Sequence, residues 1–253
     1  MATNFYDRVA KKFGGYSYGT NKPNYIKEYS NGDPESVFKE KLIKLAGSEK
    51  NVLDVGCGDC KFAFGISENF EKIVGIDTSS GLLKIAKEKQ KYLKIKNVSF
   101  SLQDAEKTNL KNEFFDVIYC RRGPRYLKES WRLLKKGGYY IEVGIGEKDT
   151  KDIQKIFDRG QNYGGWDESR LKKISGEAAS IGFKVIFAKD YFYNEYYKSF
   201  KDMDIFLQGV PIFEDYDSEK DKNLLIKYAD KFKTEKGIKL PRHRIVFVFQ
   251  KPV

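Results

Sequence analysis

Short apolar runs of strand length recur along the first part of the chain and alternate with segments of helical periodicity. The apolar runs lie at 51–56, 72–77, 97–103, 114–120 and 137–146. Between the second and third runs, SGLLKIAKEKQKYL has its apolar residues at helical spacing. Strands that alternate with helices in this way indicate an α/β fold, with a mainly parallel sheet that helices cover on both faces.

Two helices are predicted on either side of this alternating region. The first lies in DPESVFKEKLIKLAG, which has an acidic start and apolar residues at helical spacing. The second lies in GGWDESRLKKISGEAASIGF, where Asp167 is a candidate N-cap and Gly182 a candidate helix end.

Two more apolar runs, 184–192 and 243–250, are separated by a segment too long for a hairpin loop. Within this segment, 194–241, the stretch 196–221 combines aromatic residues with seven acidic ones: Asp202, Asp204, Glu214, Asp215, Asp217, Glu219 and Asp221. An insertion of this composition suits a small, partly apolar or amine-bearing ligand and would repel a phosphate backbone. Alternatively, its aromatics form a core of their own while its acids face water.

Composition limits the class of protein. A chain of 253 residues with 40% hydrophobic residues can bury one sizeable core, so we expect one domain with an insertion. The formal net charge of +11 comes from lysines spread along the chain, which favours a lysine-rich surface over a dedicated polyanion site. No apolar run is long enough for a bilayer, and the first residues lack the apolar segment of a signal peptide. Three cysteines fit a reducing compartment, so we expect a cytoplasmic protein.

An acid and two glycines follow the first strand in NVLDVGCGDCKF. A glycine turn at the carboxyl end of a parallel strand lets the backbone approach a ligand closely. The dinucleotide fingerprint needs a third glycine where this chain has Lys61. Asp54 would repel a pyrophosphate and instead suits a cationic ammonium group.

Two further acids stand at the ends of the next two strands. Asp77 ends the second strand, where a carboxylate can accept both hydroxyls of a ribose. Asp104 follows the third strand, where it could accept from an exocyclic amine such as that of adenine. Either acid alone could be a solvated loop residue or a helix cap, but acids at three consecutive strand ends favour a nucleoside with a positively charged tail.

Five motifs make the sequence similar to the class I S-adenosylmethionine-dependent methyltransferases, within the broad group that includes the quinone-biosynthesis C-methyltransferases. The motifs are VLDVGCGDCKF, VGIDTSSGLLKIAK, QDAE, FFDVIYCRRGP and RLLKKGGYYIEV. The resemblance covers about 38–146 and the last two strands. It implies a Rossmann-like fold with a seven-stranded, mostly parallel sheet whose last strand is antiparallel.

The resemblance also implies a division of the chain. Residues 1–33 would be an N-terminal cap segment, 34–193 with 242–253 the S-adenosylmethionine-binding domain, and 194–241 a lid over the acceptor site. The glycine pair and tyrosines near the N-terminus would close over the cofactor or form an ordinary strap.

S-adenosylmethionine would then be the cofactor, with S-adenosylhomocysteine as its product. The positions that the resemblance assigns to cofactor binding are Asp54, Gly56, Cys57, Gly58, Asp77, Thr78, Asp104, Ala105 and Cys120. Asp54 and the two glycines would hold the methionine moiety, and Asp77 the ribose. Asp104 and Ala105 would hold the adenine, and Cys120 would lie beside the sulfonium.

The cysteines leave several readings open. The family usually has glycine at Cys60, so a side chain there would narrow the turn or weaken cofactor binding. Cys57 and Cys60 form a C-x-x-C, which can be a redox pair, and a reversible disulfide there would block the cofactor. A zinc site would need both of them to meet Cys120 and His243. Incidental thiols are favoured, and no metal is expected.

The acceptor is less well defined. YCRRGP lacks the two prolines and the aromatic residue typical of base N-methylation, and Cys120 lacks the preceding proline of a cytosine nucleophile. Arg121 and Arg122 could clamp a carboxylate or phosphate of an acceptor, or one of them could pair with an acid of the insertion. If the acceptor must lose a proton, Glu147, His243 and the pocket tyrosines are candidate bases.

We therefore expect a methyltransferase that acts on a small-molecule acceptor, with no membrane partner. An RNA methyltransferase is the alternative that the net charge favours and the acidic insertion opposes. A non-catalytic S-adenosylmethionine-binding protein on the same scaffold is a third reading, to which Cys60 lends some support.

Overall fold

The computed structural model describes residues 5–16 and 22–253, which form nine α-helices, one short 3₁₀ helix at Ser67–Asn69 and nine strands in that part of the chain. The helices are α1 Phe5–Phe13, α2 Pro34–Ile43, α3 Lys61–Phe64, α4 Ser80–Leu93, α5 Leu127–Leu133, α6 Lys151–Phe157, α7 Arg170–Ile181, α8 Phe200–Gln208 and α9 Lys222–Lys231. The strands are β1 Tyr25–Tyr29, β2 Gly47–Val55, β3 Phe70–Asp77, β4 Val98–Leu102, β5 Phe115–Arg121, β6 Leu134–Ile145, β7 Lys184–Tyr197, β8 Lys233–Thr234 and β9 Gly237–Gln250. Within the described ranges, no helix is both long and apolar enough to cross a membrane.

The chain divides into two compact units. The first, here called the motif unit, comprises Asp33–Ile145, Arg170–Asp190 and Ile245–Val253. The second, here called the insertion unit, comprises Met1–Gly32, Gly146–Ser169 and Tyr191–Arg244. All the strand-end acids and the glycine turn predicted from the sequence belong to the motif unit.

The central strand of the sheet in the motif unit is β2. β2 pairs in parallel with β3 on one side and with β5 on the other, so the strand order reverses between β2 and β5. β4 extends the sheet in parallel beyond β3, and β6 does the same beyond β5. Ligands of open parallel sheets bind beyond the carboxyl ends of the strands at such a reversal.

Strand β9 runs antiparallel to β6. Gly137, early in β6, donates its N–H to the carbonyl of Lys251 at 2.8 Å, and Lys251 donates back to Gly138 at 2.9 Å. Gly146, just past the other end of β6, donates to His243 at 3.0 Å, so residue numbers fall along β9 as they rise along β6. The predicted antiparallel last strand is confirmed.

The seven predicted strands are all present, in the order β4-β3-β2-β5-β6-β9-β7. The sheet has nine strands because β1 pairs with β7 and β8 pairs with β9, both antiparallel. β1 carries the short mixed sequence YIKEY and β8 has two residues, so neither has a pattern that periodicity could detect.

The core of the motif unit is built from the inward-facing residues of the parallel strands and from helix α7. Leu53 and Ile118 of neighbouring strands are at most 1% exposed, and Ile174 and Ala178 of α7 pack into the same cluster. The apolar spacing in ISGEAASIGF therefore specifies the face of α7 that is buried.

Helix α7 starts later than expected and ends where expected. It begins at Arg170, three residues after Asp167, so the prediction of Asp167 as its N-cap is wrong. At its end, Phe183 N–H bonds to Ala178 O and Gly182 N–H to Ala179 O, each at 3.0 Å, with Gly182 at φ +114°. This pair of bonds is the Schellman helix end that a glycine permits.

The insertion unit has its own core, made largely of the aromatics between the last two strands. Met203, Phe213 and Tyr228 are at most 1% exposed and pack together with Phe157 of α6. The reading in which these aromatics form a core of their own is thus confirmed.

Several acids of the insertion are engaged within this unit and do not simply face water. Asp221 accepts from Arg159 at 2.8 Å, and Asp204 accepts from the Tyr216 hydroxyl at 2.7 Å. Asp202 accepts from the backbone N–H of Asn24 at 2.8 Å. These acids fix loops and side chains of the insertion unit.

A buried ionic network also lies in the insertion unit. Asp149 accepts from Arg242 at 3.0 Å, from Arg244 at 2.6 Å and from the His243 backbone N–H at 2.9 Å. Burial alone would raise the pKa of Asp149, but the two guanidinium groups outweigh it and lower that pKa to about 2. Arg242 also bonds to Glu195, so each buried charge has an opposite partner.

The helix end at Gly182 gives a stability prediction. A Cβ at Gly182 would meet the Trp131 ring at 2.9 Å and hold a positive φ, so Gly182→Ala should lower the free energy of unfolding by about 1–2 kcal/mol or more. Gly176→Ala in the same helix is the control, because its Cβ would meet nothing within 4 Å. That variant should gain about 0.5–1 kcal/mol. Urea unfolding measures both, and equal effects of the two substitutions would contradict the strained helix end.

Candidate functional site

The glycine turn after β2 is fastened to the end of β3. The N–H groups of Gly56 and Cys57 both donate to the carbonyl of Ile76, at 2.9 and 3.0 Å. Gly56 has φ +71° and Gly58 φ +55°, conformations that glycine adopts without a Cβ penalty. A Cβ on Gly56 would lie 3.2 Å from Cδ of Pro124, so the turn after β5 closes directly over the glycine.

The carboxylate of Asp77 is held by this turn. Its Oδ2 accepts from Gly58 N–H and its Oδ1 from Ser79 N–H, both at 2.8 Å. Each carboxylate oxygen can accept more than one hydrogen bond. Ser79 in turn caps helix α4 by accepting from Leu82 N–H at 3.1 Å.

Asp54 is a buried carboxyl group whose charge is only partly balanced. It is 3% exposed at the end of β2, beside Tyr119 in the register of β5. Burial raises its pKa to about 7, although the Tyr119 hydroxyl and the charge of Arg121 act in the opposite direction. A cationic ligand group beside Asp54 would stabilise the carboxylate.

The two cysteines of the turn pack over a glycine of the neighbouring strand. A Cβ on Gly75 would lie 2.8 Å from Sγ of Cys57 and 3.4 Å from Sγ of Cys60. Both thiols are free, and a hydrogen bond that the Cys57 thiol donates to Cys60, together with burial, raises the pKa of Cys57. Cys60 has φ +55°, which explains in physical terms why glycine suits this position.

The remaining predicted cofactor positions lie at the same strand ends. Asp104 is exposed two residues after β4 and accepts from Glu106 N–H at 2.9 Å, whereas Ala105 is buried. Thr78 is exposed at the start of helix α4. Cys120 is buried in β5 and its thiol donates to the carbonyl of Pro124 at 3.4 Å.

Arg121 and Arg122 share one acid, and it does not belong to the insertion. Arg121 Nη2 lies 2.9 Å from Oε2 of Glu35, and Arg122 Nε lies 3.4 Å from Oε1 of the same residue. The prediction that one arginine pairs with an acid of the insertion is therefore wrong, because Glu35 in the first turn of helix α2 takes that place.

The two other candidate bases belong to the insertion unit. His243 is 1% exposed, accepts from the Lys148 N–H at 3.2 Å and stacks on Phe192 at 4.3 Å between ring centroids. Oε2 of Glu147 lies 3.9 Å from its Nδ1. The roles of Glu147 and His243 as bases stay predictions. The described residues contain no group of three or more histidine, cysteine or acidic side chains arranged to hold a metal.

Three residues that sequence reasoning missed contribute to this site. Tyr119 is the neighbour of Asp54 in the sheet register, Glu35 links the two arginines, and Gly75 makes room for the cysteines. Only Gly75 had a signal in the sequence, because a glycine inside a strand often marks close approach of another backbone or side chain.

The buried Asp54 makes stability depend on pH. Its pKa rises from 3.8 when unfolded to about 7 when folded, so the wild type should lose stability as the pH rises through this interval. Asp54→Asn removes this titration, so its free energy of unfolding relative to wild type should increase by roughly 4 kcal/mol between about pH 4 and about pH 7. Urea unfolding across this pH range tests it. A stability difference between variant and wild type that stays constant over this pH range would contradict the raised pKa of Asp54.

Part of the chain matches known sequences. Residues 46–165 match the family model of the methyltransferase domain. A demethylmenaquinone methyltransferase from Lactococcus lactis subsp. lactis (strain IL1403) is 32% identical over 147 residues, which are 53% of this chain and 57% of the relative. A ubiquinone biosynthesis O-methyltransferase from Coxiella burnetii (strain Dugway 5J108-111) is 29% identical over 107 residues, 42% of this chain and 44% of the relative. The chain thus spans about half the length of these curated relatives.

The fold also matches solved structures. The YcgJ protein from Bacillus subtilis has a TM-score of 0.63 and 18% identity, and the match covers 86% of this chain and 99% of that one. At this identity the match shows the fold alone, which agrees with the strand order described above. The chain therefore has the class I methyltransferase fold, and the match of residues 46–165 to the methyltransferase domain agrees with the family predicted from the motifs.

Proposed function

We propose that this protein is an S-adenosylmethionine-dependent methyltransferase that acts on a small-molecule acceptor. The observation that carries the proposal is the arrangement of Asp54, Asp77 and Asp104 at the ends of three adjacent parallel strands around a double-glycine turn. The match of residues 46–165 to the methyltransferase domain supports the same conclusion.

The residues present fit S-adenosylmethionine. The glycine turn follows the carboxyl end of β2, with Gly56 and Gly58 both at positive φ, and such a turn suits close approach of the backbone to a ligand. Asp54 lacks a full counter-charge, and the ammonium group of the cofactor would supply one. A nicotinamide dinucleotide fits less well, since its pyrophosphate would meet the carboxyl group of Asp54.

Each strand end has a distinct part of the cofactor to bind. Asp77, already oriented by Gly58 and Ser79, would accept from the ribose hydroxyls. Asp104 with Ala105 would hold the adenine, and the end of β5 at Cys120 would lie beside the sulfonium. S-adenosylhomocysteine would be released as the product.

When bound, S-adenosylmethionine supplies an electrophilic methyl group on a sulfonium. The protein's contribution is to hold donor and acceptor in near-attack geometry and to exclude water from the buried strand ends. The residues at these ends are anchored by short hydrogen bonds to backbone, so the cofactor side of that geometry is largely preformed.

A small-molecule acceptor is favoured over RNA by the matched relatives. One of them is named for demethylmenaquinone and one for ubiquinone biosynthesis, and neither is named for a nucleic acid. The segment 194–241 would act as the lid over this acceptor. The high net charge is spread over the surface and does not by itself identify a polyanionic partner.

The alternative of a non-catalytic binding protein drew some support from Cys60. Its side chain is buried against Gly75 and Cys57, within the motif unit core, and the positive φ accommodates it at some cost in strain. This placement gives no support to a loss of activity.

Removal of the ribose carboxylate tests cofactor binding. Asp77→Asn should weaken binding of S-adenosylhomocysteine by about 1–3 kcal/mol, because the amide cannot accept at both oxygen positions. Glu71→Gln, on an exposed position of the same strand β3, is the matched control and should leave the affinity unchanged. Isothermal titration measures both.

The transferred methyl group tests the acceptor class. Purified protein, methyl-labelled S-adenosylmethionine and an extract of its own cells should give label in the small-molecule fraction, and Asp77→Asn should lose most of it. Label in RNA would replace the small-molecule proposal. Measurable cofactor binding without label in any fraction would favour a binding protein.

A further inference from the structure

We propose that Arg121 and Arg122 form a binding site for an anionic oxygen group, a carboxylate or a phosphate monoester, on the methyl acceptor. The inference rests on the proposed function and deepens it, because it states a chemical class for the acceptor. The site consists of these two arginines, the acid Glu35 that they share, and the ring of Phe62.

The position of the pair suits an acceptor. Arg121 is the last residue of β5, directly after Cys120, and Cys120 lies beside Val55 of β2 in the sheet register. The strand order reverses between these two strands, so the arginines stand at the ligand-binding edge of the sheet. The acceptor must reach this edge in order to meet the methyl group of a cofactor bound at the glycine turn.

The charges of the cluster do not cancel. Two guanidinium groups pair with the carboxylate of Glu35, and Arg121 also interacts with Asp54, whose pKa of about 7 leaves it only partly ionised at neutral pH, so positive charge is in excess among these four residues. The residues outside the described ranges, 1–4 and 17–21, contain no aspartate or glutamate that could balance it. By contrast, every arginine in the buried network of the insertion unit is matched by an acid.

Arg121 is held in a fixed orientation. Its Nε and Nη2 both donate to Oε2 of Glu35, at 3.3 and 2.9 Å. Its guanidinium carbon lies 4.2 Å from the centroid of the Phe62 ring, which stacks beneath it. Its Nη1 makes no hydrogen bond to any residue within the described ranges, so this edge of the planar group is available for an anion.

Arg122 has an unusual backbone. Its φ is +59°, a conformation that is costly for a long side chain, and its N–H donates to Val143 O at 2.8 Å. The next residue, Gly123, has no room for a Cβ, which would lie 3.0 Å from Val55 O. The turn therefore stores strain to bring the second guanidinium to the same acid as the first, and stored strain of this kind is typical of functional sites.

Both arginines stay accessible although the strand ends around them are buried. The side chains of Arg121 and Arg122 are 27% and 32% exposed, whereas Cys120 and Tyr119 next to them are fully buried. Two partly exposed guanidinium groups in fixed positions can form paired hydrogen bonds to a carboxylate or phosphate.

Direct titration tests this site. The probes are benzoate, phenyl phosphate and the neutral benzyl alcohol, each titrated into the full chain with and without saturating S-adenosylhomocysteine. At least one anion should bind, and benzyl alcohol should bind at least tenfold more weakly. The stronger of the two anions identifies the group as a carboxylate or a phosphate.

Variants separate recognition from structure. Arg122→Gln should lower the affinity for the anion about tenfold or more. Arg122→Lys should recover only part of that affinity, because lysine lacks the planar guanidinium group. Glu35→Gln should strengthen anion binding, since it removes the competing carboxylate. Lys135→Gln is the control for overall charge. Lys135 pairs with Asp116, and both residues lie near the amino-terminal ends of their strands, away from the carboxyl ends where Arg121 and Arg122 lie.

Each other outcome would overturn the proposal. The cluster would be purely structural if neither anion binds the wild type. The same conclusion would follow if the arginine and glutamate variants lower the melting temperature but leave the anion affinities unchanged. Weaker binding of S-adenosylhomocysteine in Arg122→Gln, with anion affinity unchanged, would assign the arginines to the cofactor's own carboxylate. If wild type fails to bind S-adenosylhomocysteine, the proposed function fails, while the titrations without it still decide on the anion site.

Discussion

The attachment of the glycine turn to the end of β3 is the constraint on which the candidate site depends. The carbonyl of Ile76 accepts hydrogen bonds from the N–H groups of two consecutive turn residues. The carboxylate of Asp77 accepts a third hydrogen bond, from the N–H group of Gly58. The turn after β2 and the acid after β3 therefore form one rigid assembly. A ligand that is bound by both makes contact with a surface that needs little rearrangement.

Two buried carboxyl groups show how differently the chain treats charge. Asp149 is enclosed by two arginines, which lower its pKa to about 2 and keep it ionised. Asp54 is equally buried, yet its pKa is raised to about 7, because burial outweighs the hydroxyl of Tyr119 and the charge of Arg121. The first arrangement is complete without a ligand and serves structure. The second becomes favourable only when a positive charge arrives, which is what a binding site requires.

The sequence was sufficient to predict the repeated and local features. The parallel strands, helix α2 and the end of α7 at Gly182 follow from apolar spacing and from the backbone freedom of glycine, which act within a few residues. The link of Arg121 to Glu35 was not predictable, because 86 residues separate the two and only the folded sheet brings them together. Short edge strands such as β1 were not predicted for a related reason. Pairing with a neighbouring strand specifies them, and their own residue pattern does not.

The division of the chain has a consequence for how such a protein can be cut or rearranged. Each unit is assembled from three separate segments, and strands β7 and β9 each begin in one unit and end in the other. No single cleavage or truncation would release either unit as a continuous polypeptide. Removing the insertion by genetic deletion would also remove the halves of two strands. The insertion unit therefore cannot be exchanged between relatives as a detachable module, and its properties can change only by substitution of residues within the existing framework.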